Sequence, residues 1–109
     1  KVLITDVVLV ETLWTLRGKR YNLKKTALVE VIQKLFAEPN LSFEDGPTVW
    51  RALQDYRQAK AIKAGSKTKS ADFPDALIAN KARWCLGDKL EGIYTFDKAA
   101  QQIPGVSEP

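Results

Sequence analysis

The chain contains no histidine. That absence removes Ser-His-Asp and Cys-His triads, histidine-ligated zinc and the paired-histidine route to RNA cleavage. Cysteine is nearly absent as well, since Cys85 stands alone. One thiol excludes a disulfide within the chain and cysteine-rich zinc or iron–sulfur centres, and it makes a reducing cytoplasm the expected location. Set between Trp84 and Leu86, that cysteine reads as a packing residue rather than a nucleophile. No apolar run approaches the roughly 18 to 20 residues that a membrane span requires. The stretch "VVLV" is too short, and too soon interrupted by Glu11, for the core of a signal peptide. With these chemistries gone, an enzyme of this composition would work through carboxylates, with a hard divalent cation as their natural companion.

What is present fits one domain. A length of 109 residues supports a single core, and 45% hydrophobic against 28% charged residues is an ordinary globular balance. Lysine and arginine outnumber aspartate and glutamate by 17 to 13, a formal charge of +4. The excess is clustered: Arg17, Lys19, Arg20, Lys24 and Lys25 come early, and Lys60, Lys63, Lys67 and Lys69 sit in the middle. Such clusters serve either as phosphate contacts, through charge neutralisation and counterion release, or as solvated surface.

Along the chain, helical and strand signals alternate. Val2 to Ile4 reads as a strand, and Thr5-Asp6 as the cap of a helix that stops at Gly18. A second helix is expected from about Asn22, its cap, to Ala37, with Leu23, Ala27, Leu28, Val31, Leu35 and Phe36 on one face. "LSF" at 41–43 reads as a strand. Asp45-Gly46-Pro47 opens a third helix carrying Val49, Trp50, Leu53 and Tyr56 on its apolar side. The passage "AKAIKAGSKTKS" reads as a mobile loop. A helix from Asp72 to Leu86 follows, then the strand "GIYTF", a short helix near 99–102 and a short strand near Val106. Strands separated by helical crossovers imply an α/β fold with a parallel sheet covered by helices.

Four carboxylates stand out. Glu11 shares a helix face with Val7, Val8, Trp14 and Thr15, where a charge is costly unless it is paired, binds a cation or reaches water at the edge of the stripe. Asp97 closes "GIYTF", at the carboxyl end of a strand, where ligands of open parallel sheets bind; it equally suits a helix cap. Asp72 and Asp75 fall at the N-cap and N3 positions of their helix, and capping accounts for the pair taken alone. Asp75 also shares its face with Ile78, Ala79 and Ala82, small enough to let the helix pack closely. Converging carboxylates repel and call for a divalent cation. Mg²⁺ or Mn²⁺, which keep bound water, would give metal-assisted phosphodiester cleavage.

The segments "VVLVETLWTL", "ADFPDALIANKAR" and "YTFDKAA", in this order, resemble the PIN domain, and most of all the toxin ribonucleases of VapBC-type, type II toxin–antitoxin pairs. The resemblance covers nearly the whole chain, including the second helix and the "ALQDY" helix. It implies a three-layer α/β/α sandwich and a metal-dependent endoribonuclease. Glu11, Asp75 and Asp97 would hold Mg²⁺ or Mn²⁺, with Asp72 as a further candidate and Thr95 in support. Arg17, Lys19, Arg20, Lys67 and Lys69 are the corresponding candidates for RNA phosphate contacts. The resemblance also implies a homodimer and an antitoxin that blocks the site. One feature departs from the family. Its opening strand ends in an aspartate, commonly within an "LDTN"-like motif, and this chain has none. Residues 1–109 are therefore expected to form a single PIN-like domain without its first strand and helix. The alternative is a catalytically inactive PIN-like module that binds RNA or protein.

Overall fold

The computed structural model describes residues 1–59, 62–64, 67–69, 71–86, 93–94, 102–104 and 106–107. They form β1 (Val2–Ile4), α1 (Asp6–Arg17), α2 (Lys25–Ala37), β2 (Leu41–Phe43), α3 (Gly46–Gln58), β3 (Ile62–Ala64), β4 (Lys67–Lys69), α4 (Phe73–Leu86), β5 (Ile93–Tyr94) and β6 (Val106–Ser107). The fold is mixed α/β, as the alternation of patterns implied. The chain divides into two compact units, Lys1–Pro47 and Thr48–Pro109.

In the first unit β1 and β2 pair in parallel, Val2 opposite Leu41 and Ile4 opposite Phe43, across the crossover made by α1 and α2. Thr5 caps α1 by accepting a hydrogen bond from the Val8 amide at 3.2 Å. The helix ends at Gly18 as expected, with the glycine in extended conformation (φ −66°, ψ 175°). The left-handed residue of this turn is Asn22 (φ 49°), whose amide donates to the Gly18 carbonyl at 2.6 Å. Asparagine tolerates that conformation better than most side chains. Asn22 is thus a turn residue and not the cap of α2, which starts three residues later.

Helix α2 buries Leu28 and Ile32, one turn apart, each worth roughly 1.5–3 kcal/mol when withdrawn from water. Phe36 at its end stacks on Phe43 of β2, with ring centroids 4.3 Å apart. Leu9 and Leu13 form the buried line of α1, while Val7, Val8 and Trp14 are exposed.

In the second unit α3 buries Val49, Ala52, Leu53 and Tyr56, and α4 buries Phe73, Ala76, Leu77 and Ala79. Tyr56 and Phe73 meet with ring centroids 6.0 Å apart. Trp50, expected in the core, is exposed, as is Ile78. The lysine-rich passage is not simply a loop: β3 and β4 within it pair antiparallel, Ile62 opposite Lys69 and Ala64 opposite Lys67. Lysines alternating with Ile62, Ala64 and Thr68 give the period of two that paired strands require. Strands β5 and β6 pair in parallel, Ile93 opposite Val106. The described strands thus make two parallel pairs and one hairpin. No helix among the described residues is long and apolar enough to cross a membrane.

Candidate functional site

The start of α4 is held by a reciprocal pair of carboxylates. The Asp75 amide donates to Asp72 Oδ1 at 3.2 Å, and the Asp72 amide donates to Asp75 Oδ2 at 3.1 Å. This is a capping box with aspartate at both positions, and it satisfies two amides that the first helical turn leaves without partners. Pro74 lies between them, where its missing N–H costs nothing. Both aspartates are half-buried. Capping does not exhaust Asp75, since an ionised carboxylate offers about four lone-pair positions over its two oxygens. A cation ligand and a helix cap can be the same group.

Glu11 is exposed on α1, and so are all four neighbours expected to crowd it: Val7, Val8, Trp14 and Thr15. The burial penalty inferred from the stripe is therefore missing, because α1 turns Leu9 and Leu13 inward instead. Glu11 belongs to the first unit and Asp75 to the second. Asp97 and Thr95 lie outside the described residues. Among the described residues, no three acidic or thiol groups gather into a set able to hold a metal ion.

The basic candidates divide similarly. Arg17 ends α1, and Lys19 and Arg20 occupy the turn that follows, all three exposed. The Arg20 guanidinium lies 5.7 Å from the centre of the Tyr21 ring. The cluster continues into α2, whose N-cap is Lys24 with no side-chain cap and whose first turn carries no acid. Burial lowers the pKa of the neighbouring Lys25 ammonium below its ordinary 10.5. Lys67 and Lys69 lie in β4, paired with Ala64 and Ile62.

One cluster escaped the sequence reading. Asp55 of α3 accepts from Asn80 Nδ2 at 2.8 Å and from the Arg83 guanidinium at 2.9 Å, both through Oδ2. Asn80 also donates to the Ala76 carbonyl, and Arg83 to the Pro104 carbonyl. These bonds tie α3, α4 and the segment before β6 together around an open cleft of about 480 Å³. On the α3 side the cleft is lined by Trp50, Arg51, Gln54 and Asp55, and on the α4 side by Asn80, Arg83 and Trp84. The signal was available as spacing: Trp50, Arg51, Gln54 and Asp55 fall at i, i+1, i+4 and i+5, a polar–aromatic face opposite Val49, Ala52 and Tyr56. Cys85, at the end of the same helix, is exposed and does not pack as expected.

Compared with family models, with curated proteins and with solved structures, the chain matches none. The assignment of function accordingly rests on the residues and on the motif resemblance.

Proposed function

We propose that the chain is a metal-dependent endoribonuclease of PIN-like fold, the toxin of a type II toxin–antitoxin pair. The observation that carries the reading is the ordered set "VVLVETLWTL", "ADFPDALIANKAR" and "YTFDKAA" on an α/β chain without histidine. Two parallel strand pairs are compatible with the three-layer α/β/α sandwich that the motifs imply. Glu11, Asp75 and Asp97 are the proposed ligands of Mg²⁺ or Mn²⁺, oxygen donors of the kind these hard cations prefer. The bound cation would supply an activated water and neutralise charge on the phosphate. In this reading the capping box fixes the Asp75 carboxylate in the first turn of α4, and Thr95 would play the supporting part that the resemblance implies. Arg17, Lys19, Arg20, Lys67 and Lys69 would contact RNA phosphates. A cytoplasmic homodimer held in check by an antitoxin completes the proposal.

A second reading is favoured by one observation. The bonds between Asp72 and Asp75 explain both residues as caps. A PIN-like module that binds RNA or protein without cutting it would keep them for that reason alone.

The two readings part on cleavage. Asp75→Asn keeps an acceptor for the Asp72 amide and loses only the charge, so the helix start survives. The ribonuclease reading predicts RNA cleavage in Mn²⁺ that stops with chelation and is lost in Asp75→Asn at unchanged circular dichroism. Cleavage at full rate in that variant would remove the assignment.

A further inference from the structure

The cleft between α3 and α4 has no part in the proposed metal chemistry, and its lining is unusual for a surface left to water. Trp84 is 67% exposed and Trp50 is 48% exposed, although burying an indole removes a large apolar area from water. The Arg51 guanidinium lies 5.1 Å from the centre of the Trp84 ring and donates to Thr48 Oγ1 at 3.2 Å. Arg83, on the α4 side with Trp84, has its position set by Asp55 and the Pro104 carbonyl. With Asp55 as the one acid among the lining residues, two guanidiniums leave the cleft with an excess of one positive charge. Gln54 adds an unmet demand. Its Oε1 accepts from Arg57 at 3.2 Å, whereas its Nε2 is enclosed and finds no acceptor among the described residues. An enclosed donor without an acceptor is destabilising.

We propose that this cleft is a nucleotide subsite for single-stranded RNA, with a base stacked on the exposed Trp84 indole and its phosphate held by Arg51. A flat aromatic face beside a guanidinium is the pairing by which proteins hold unpaired nucleotides with little regard to sequence. The cleft volume is on the scale of a small-molecule site and admits one nucleotide rather than a folded helix. Asn80 gives its Nδ2 hydrogens to Asp55 and the Ala76 carbonyl, and it acts as a positioning residue that holds Asp55, and through it Arg83, at the rim. Choosing RNA as the polymer rests on the ribonuclease reading; the stacking geometry does not.

The test is binding of a fluorescein-labelled oligoadenylate to the full chain in EDTA, followed by anisotropy, so that cleavage plays no part. Trp84→Ala is expected to weaken binding roughly 5- to 150-fold, the span for loss of one stacked base. Trp84→Phe should recover most of the loss, and an abasic oligomer of the same length should bind wild type and Trp84→Ala alike. Because Trp84 is exposed, neither substitution should disturb folding, which circular dichroism checks. Absence of oligoadenylate binding, equal binding by wild type and Trp84→Ala, or undiminished binding of the abasic oligomer would each overturn the subsite. So would a change in sedimentation of Trp84→Ala without a change in RNA affinity, which would assign the face to a second copy of the chain. Trp84-dependent binding without metal-dependent cleavage would retain the subsite and remove the ribonuclease reading. Cleavage without Trp84-dependent binding would do the reverse.

Discussion

The first unit caps α1 with Thr5 and with Glu44, which accepts from the Asp6 amide at 3.1 Å, but its α2 and the α4 of the second unit begin in different ways. In the second, carboxylates fix structure twice: Asp72 and Asp75 close the start of α4, and Asp55 gathers Asn80 and Arg83 across 25 and 28 residues of chain. In the first, α2 begins with Lys24 and Lys25, which place positive charge against the positive end of the helix dipole, and no side chain caps it. It is held instead by apolar burial at Leu28 and Ile32 and by the stacked Phe36 and Phe43. A helix whose start opposes local preference, with tertiary packing to sustain it, is where a requirement other than stability shows most plainly. Conversely, a fully satisfied cap such as Asp75 does not exclude a second use; it only removes the need for one.

The comparison can be broken at three places. The largest effect is expected from Asp55→Ala, which leaves one Asn80 hydrogen buried without an acceptor and takes from Arg83 its anion. A loss of about 2 kcal/mol should appear in urea unfolding, where an unchanged midpoint would show that the network does not hold α3 to α4. Next comes Asp72→Ala, which should cost about 1 kcal/mol through the lost cap, while Asp72→Ser should stay near wild type. Equal losses in both would mean that charge, not capping, is what Asp72 supplies. The smallest change should be a gain. Lys24→Asp places a capping acid in a backbone conformation (φ −86°, ψ 169°) already suited to it, and is expected to add about 0.5–1 kcal/mol. If the basic start of α2 serves phosphate binding, the same substitution should weaken RNA binding while raising stability.

Much of the fold was legible in the sequence because its signals are local. Thr5 before an apolar run, proline in the first turn of α3, and aspartates at two capping positions each act within one helical turn, and the helices stand where they point. What misled was hydrophobicity read as burial. Val7, Val8, Trp14, Trp50 and Ile78 keep helical spacing with the core yet face water, because long-range packing decides which of two adjoining apolar stripes turns inward. Asn22 was a plausible cap by residue type, but its positive φ serves the turn before α2. The hairpin of β3 and β4 was hidden because lysines at alternate positions resemble a solvated loop. The cleft network was hidden for a further reason: no periodicity links Asp55 to Arg83. Of the candidate metal ligands, the motifs located Asp75 at the start of its helix, while whether it shares a cation with Glu11 and Asp97 is a question of three-dimensional assembly on which spacing is silent.

That question has a direct measurement. Isothermal titration of the chain with Mn²⁺, repeated on Glu11→Gln, Asp75→Asn and Asp97→Asn, reads the proposed ligand set without depending on any RNA. The account predicts binding by the wild type that each of the three substitutions abolishes. No binding, or binding indifferent to all three, would contradict it and leave the non-catalytic module as the better description.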